Sequence, residues 1–220
     1  MKQKRLILIF FICVLYPVVS LAISVEEITR PLRAKYQNSN TFIILYKQRI
    51  KVKGLDKVDE FKGRIIFSKP DRFRWEGVDI NGRKQIIIIV KQNMLMYIAE
   101  TDTLTKRKLF GSFEKQLKNR YIPWLNLSND MRTKYVDTEV EKGKRIYKLE
   151  ILPESGDEYK NMFFWVDADK QDVVKIEVID TAENHMILFF DSTIFTQKVP
   201  EEEFIFKPES QTQIMEINEE

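Results

Sequence analysis

Covalent chemistry needs a nucleophile, a base or a set of metal ligands, and this 220-residue chain offers few of them. His185 is the only histidine and Cys13 the only cysteine. Cys13 lies within the apolar run Leu6 to Val19, so the chain beyond it has no thiol for nucleophilic catalysis or for a zinc site of several Cys and His. No Gly-x-Ser-x-Gly elbow surrounds a serine, and no Walker or dinucleotide fingerprint is present. Carboxylates are plentiful, but Glu201-Glu202-Glu203 and the Asp167/Asp169 pair read as solvated turns. His185 opens a strand between Asn184 and Met186 and reads as an exposed or satisfied strand residue. The expectation is a protein with no catalytic residues, no metal and no cofactor, and therefore not an enzyme.

What the chain does supply is apolar surface: 15 Phe, 8 Tyr, 3 Trp and 7 Met. Most belong to an ordinary core, but some stretches are apolar on both parities. Thr41 to Leu45, Ile86 to Val90 and Met186 to Phe190 each need cover on both faces of a sheet. Helices are one such cover and an apolar ligand is another. Unbranched Met94, Met96 and Met186 suit a cavity that adapts to chains of varying shape.

The elements that must position these side chains are mainly strands. Ser24-Val25-Glu26-Glu27 forms a capping box, and Val25, Ile28, Leu32 and Tyr36 recur at helical spacing, so a helix follows it. Pro31 is expected to kink that helix or to move its start. From Thr41 the period changes to two, with Phe42, Ile44 and Tyr46 on one parity. About a dozen short strands follow at hairpin spacing, including Arg72 to Val78 and the runs beginning at Lys134, Arg145, Asn161, Val173 and His185. Asn81-Gly82 marks a hairpin whose two turn positions would both take positive φ. In the middle, Phe113, Leu117 and Tyr121 share one face of a short helix that Pro123 stops, and Trp124 follows. The tail after Pro208 is polar and expected to fray.

Residues 1–22 read as a secretory signal peptide: Lys2, Lys4 and Arg5, then the apolar run, then Ser20-Leu21-Ala22 as a small-x-small cleavage site. An uncleaved N-terminal anchor is the alternative. Ile12 stands where a lipobox would place a small residue before Cys13, so lipidation is not expected. Residues 23–220 then form a single domain of an exported protein. Three of the 36 Lys and Arg fall in the leader, which leaves 33 against 33 Asp and Glu. A balanced, exported domain gives no reason to expect a nucleic-acid partner.

Phe67-Ser68-Lys69-Pro70-Asp71-Arg72-Phe73-Arg74-Trp75 resembles a segment of the LolA family, the periplasmic lipoprotein carriers. Phe42-x-Ile44-x-Tyr46-x-Gln48, Leu95-Met96-Tyr97 and Phe204-Ile205-Phe206-Lys207-Pro208 fit the same family in the same order. The resemblance runs from about Ser24 to Pro208. It implies an unclosed antiparallel half-barrel, mainly β, with an N-terminal helix and short lid helices over a hydrophobic cavity. It implies a chaperone that takes acylated lipoproteins from an inner-membrane ABC transporter and passes them to an outer-membrane acceptor, acting as a monomer. Phe73 and Trp75 match positions that line the cavity and its mouth. The candidate lining set is completed by Phe42, Ile44, Tyr46, Ile65 and Phe67 from the first two strands, Met94 and Met96, and Trp124. Lys69 matches an arginine that latches the lid through backbone carbonyls, and Lys91-Gln92-Asn93 replaces a family Asp-Gly turn. A carrier or sensor of another envelope lipid or glycolipid is the competing expectation. If Phe73 faces a water-filled cavity, a charge there stays hydrated and weakens binding rather than folding.

Overall fold

The computed structural model describes residues 23–109, 133–153 and 159–217. The proposed leader, the helical segment around Phe113 to Tyr121 and Trp124 lie outside the described residues.

The first element is the helix α1, Val25–Asn38. Its capping box forms: the Ser24 hydroxyl accepts from the Glu27 amide at 3.2 Å, and the Glu27 carboxylate accepts from the Ser24 amide at 2.7 Å. Pro31 does not move the start, because the helix runs through it. Proline only removes the donor that would reach the Glu27 carbonyl. Ile28, Leu32 and Tyr36 make the buried stripe.

Twelve strands then build one open sheet. They are β1 (Thr41–Lys51), β2 (Val58–Ser68), β3 (Arg72–Asp79), β4 (Lys84–Val90), β5 (Asn93–Ile98) and β6 (Thr103–Lys108). Next come β7 (Thr133–Glu141), β8 (Lys144–Ile151), β9 (Tyr159–Asp167), β10 (Asp172–Asp180), β11 (His185–Thr196) and β12 (Gln213–Ile217). The order across the sheet is β12-β6-β5-β4-β3-β2-β1-β11-β10-β9-β8-β7, and every pair is antiparallel except β12 with β6. β12 and β7 do not pair with each other, so the sheet stays unclosed. This is the expected half-barrel.

Bulges set which side chains face inward. Leu45 pairs with Ser192 and Tyr46 with Phe190, so Asp191 is an extra residue in β11. Such an insertion bends the strand and switches parity. Leu188 and Phe190 therefore share the inner face with Thr193 and Phe195.

Both faces of the both-parity strands find cover, though unevenly. On the inner face α1 packs over Phe42, Ile44, Ile65, Phe73, Leu149, Phe164 and Leu188 in one apolar cluster. On the outer face Ile66, Ile86 and Ile88 pack against Val199 and Phe204, with Tyr97 and Phe206 alongside. Phe204 ends a short 3-10 helix, Glu201–Phe204. At β11 the outer-facing Phe189 remains exposed.

Three local expectations are corrected. The β3–β4 hairpin has positive φ at Gly82 and not at Asn81. Its loop is Ile80-Asn81-Gly82, closed by the Asp79 amide on the Arg83 carbonyl at 3.1 Å. The Asp79 carboxylate accepts the Asn81 and Arg83 amides at 2.9 and 2.8 Å, so a three-residue loop replaces the two-residue turn. The carboxylates read as solvated turns are mostly engaged. Asp167 is buried and accepts the Asp169 and Lys170 amides, while Glu203 takes both terminal nitrogens of Arg64 at 3.1 and 2.8 Å. The tail does not fray entirely, since Gln213–Ile217 adds as a parallel strand on β6.

Candidate functional site

Strand register turns the inner face into rows. Phe42, Phe67, Phe73, Ile89 and Met94 lie abreast across β1 to β5. The next row is Ile44, Ile65, Trp75, Ile87 and Met96, and the third is Tyr46, Gly63, Gly77, Gln85 and Ile98. All nine described members of the candidate set therefore share one face and fall in three consecutive rows.

The rows differ in what covers them. Over the first two, α1 inserts Ile28, Leu32 and Tyr36, and Tyr36 meets Phe42 edge-on with ring centroids 5.1 Å apart. Phe42, Ile44, Ile65 and Phe73 are at most 4% exposed there, so they are packed core in this closed arrangement. Phe67 stacks on Phe42, and Met94 packs with buried Leu109.

At the third row β2 and β3 carry no side chain, only Gly63 and Gly77. A Cβ on Gly63 would lie 1.9 Å from the Glu76 carbonyl oxygen, and one on Gly77 would lie 2.7 Å from the Tyr46 hydroxyl. With no side chains there, the Tyr46 hydroxyl comes down onto the sheet. It donates to the Glu76 carbonyl at 3.1 Å and accepts from the Trp75 indole nitrogen. Burial pushes the Tyr46 pKa well above the usual tyrosine value, so the group stays neutral. The two aromatic residues thus satisfy each other's polar atoms and turn apolar surface outward.

Beyond them lies a cavity of about 250 Å³, lined by Tyr46, Gln48 and Ile50 from β1, Phe61, Trp75 and Gly77, residues 85–87 and 96–98, and Met186. Of the candidate set, Tyr46, Trp75 and Met96 line it, while the other six described members lie in the packed rows. Phe61, Gln85 and Ile98 also border a polar recess of about 90 Å³ with Lys57, Asp59, Asp79, Arg83, Lys84 and Glu100. An apolar chamber therefore opens beside a charged rim, an arrangement suited to an amphiphile.

The helix that closes the face is tethered at its C-terminal end. The Lys69 ammonium donates to the Gln37 carbonyl in the last turn of α1. A cation there also meets the negative end of the helix dipole. Lys35 pairs with Asp172 at 2.7 Å and donates to the Lys170 carbonyl at 3.1 Å. Burial pushes the Asp172 pKa up, against the opposing pull of Lys35.

Sequence reasoning missed Gln48, Ile50, Phe61 and the two glycines. Gln48 and Ile50 simply continue the β1 parity of Tyr46, and that signal was available. The outer clamp was missed as well: Arg64 and Arg74 flank the Glu76 carboxylate, Arg74 donates to the Glu203 carbonyl at 2.8 Å, and Arg72 pairs with Glu201. His185 lies 2.9 Å from the Glu177 carboxylate. Among the described residues no group of three or more His, Cys, Asp or Glu is placed to hold a metal ion.

Comparisons with known proteins bear on this arrangement. The family model described as outer membrane lipoprotein carrier protein LolA matches residues 37–207. An uncharacterized conserved protein from Thermus thermophilus has a similar structure, with a TM-score of 0.55 at 11% identity over 86% of this chain and 97% of that one. That likeness shows the fold. A putative outer membrane lipoprotein-sorting protein domain from Vibrio parahaemolyticus gives a TM-score of 0.43 at 12% identity, over 81% of this chain and 94% of its own. A LolA superfamily protein from Nitrosomonas europaea gives 0.42 at 12% identity, over 84% and 99% respectively. No curated protein sequence matches the chain.

Proposed function

The chain belongs to the LolA family of outer-membrane lipoprotein carriers, and we propose that it is an exported, non-enzymatic carrier that shields the acyl chains of lipoproteins between an inner-membrane ABC transporter and an outer-membrane acceptor. The family's fold suggests a lipid- or lipoprotein-binding carrier. The observation that carries the proposal is the continuous apolar inner face, covered by α1 at one end and left as a chamber of about 250 Å³ at the other.

The physics of a carrier fits that face. Each buried methylene is worth about 0.8 kcal/mol, so acyl chains do not cross water unshielded. Walls of Ile, Phe and Met give area without directional bonds, and an acceptor with a better-fitting surface can then take the cargo. The chamber, at about 250 Å³, is smaller than typical ligand sites, which run roughly 300–1,000 Å³. A multiply acylated anchor therefore enters only as α1 gives up part of its place. Displacing the helix costs part of the binding energy and sets affinity low enough for release.

The test is mass spectrometry of what co-purifies with the protein from the periplasm. Triacylated lipoproteins support the reading. Free glycolipid or another envelope lipid favours the competing carrier role. A protein found in the cytosol with Met1 intact contradicts export. Replacing His185 with Ala is expected to leave transport unchanged, as a protein without catalysis requires.

A further inference from the structure

Most polar side chains at the chamber are accounted for. Tyr46 and Trp75 bond each other, and Gln85 is exposed to water. Gln48 differs. It is 8% exposed, projects from the inner face of β1 between Tyr46 and Ile50, and lines the chamber. Its amide nitrogen donates to the Met186 sulfur at 3.0 Å, and that thioether is its hydrogen-bond partner among the described residues. A thioether is a weak acceptor, while a glutamine amide carries two donors and an acceptor oxygen. A chain that filled the chamber without answering this amide would leave it unpaired at about 1–3 kcal/mol, a cost that an apolar residue of the same shape would not carry. A plain hydrocarbon wall has no use for it.

Resting on the carrier reading above, we propose that Gln48 is a specificity-determining residue that hydrogen-bonds the carbonyl linkage of an acyl chain seated in the chamber. The ligand class is an amide- or ester-linked acyl group rather than a bare hydrocarbon. The chain lies against Ile87, Met96 and Ile98, and the linkage carbonyl accepts the Gln48 N–H that the sulfur leaves over. An amide carbonyl is a stronger acceptor than an ester carbonyl, so the bond to Gln48 is stronger for an amide-linked chain than for an ester of equal length. Recognition is then by the one feature that every acylated anchor shares, with no demand on the protein attached to it.

The experiment displaces an apolar fluorescent probe from the full mature chain with N-methyldodecanamide and with dodecane, in wild type and in Gln48→Leu. Comparing the ratio of the two affinities between proteins cancels the different hydration of the two compounds. One lost hydrogen bond of about 1.4 kcal/mol predicts a ratio about tenfold lower in Gln48→Leu. Gln48→Met, unbranched and close in shape, is the second variant, and melting curves establish that each is folded. A ratio unchanged in the folded variants overturns the role of Gln48 while leaving the carrier reading intact. Wild type that binds neither compound overturns both.

Discussion

The two ends of the inner face are built from the same strands and do opposite work. At the α1 end, Phe42, Ile44, Ile65 and Phe73 are sealed under Leu32 and Tyr36. Two residues farther along the same strands, Gly63 and Gly77 replace bulk, Tyr46 lies down on the sheet, and a chamber remains. The difference teaches that an apolar strand face becomes packed core or open chamber according to what stands over it. Stability is concentrated where the helix docks. Open volume remains where it does not.

A charge introduced at each end breaks this comparison most sharply. Phe73→Glu buries a carboxylate in the packed rows, which costs several kcal/mol. At about 2–4 °C per kcal/mol for a chain of this size, the melting temperature should fall by roughly 10 °C or more. This reverses the expectation drawn from a water-filled cavity, because Phe73 is only 4% exposed. Met96→Glu places the same charge on the chamber wall, where water reaches it when the site is empty. Its melting temperature should stay within a few degrees of wild type while binding of an apolar probe is lost.

Leu32→Ala tests the packed end without a charge. Leu32 is 1% exposed beneath the helix, and truncating a buried leucine costs about 2–5 kcal/mol. Urea unfolding is expected to show that loss. Probe affinity below the transition should hold or rise, since a loosened helix obstructs loading less.

Gly77→Ala sharpens the other side. The new Cβ forces the Tyr46 hydroxyl from its bonds to Glu76 and Trp75 and turns the ring toward the chamber. The expected stability loss is smaller, about 1–2 kcal/mol, and probe affinity should fall more than this loss alone explains.

The smallest effect concerns the tether of α1. Burial raises the Asp172 pKa above its ordinary value of 3.8, so its ionised form weighs on the folded state. That burden is full at neutral pH and lifts as pH falls through the raised pKa toward the unfolded one. Asp172→Asn should therefore melt no lower than wild type at pH 7. The acid-dependent part of any difference should vanish below the ordinary carboxylate pKa, which thermal melts across pH 3 to 7 will read.

Strand positions were largely legible because alternation fixes which side chains share a face, as with Phe42, Ile44 and Tyr46. The start of α1 was legible through Ser24 and Glu27. Alternation does not say what covers a face, so core and chamber were not separable from Phe73 or Trp75 alone. The glycines carried the distinction, and each could equally have marked an ordinary turn or bulge. Gln213–Ile217 was missed because its partner, Thr103–Arg107, lies about 110 residues earlier in the chain. The Glu203 clamp was missed for the same reason: Arg64 and Arg74 belong to strands far from it in sequence.

The central claim is that cargo chains occupy the uncovered end of this face. Native mass spectrometry of purified protein mixed with an N-acylated lipopeptide tests it directly, with wild type and Met96→Glu measured at matched folded fraction. The account predicts one lipopeptide retained by wild type and none by Met96→Glu. Equal retention by both proteins, or no retention by wild type, would contradict it.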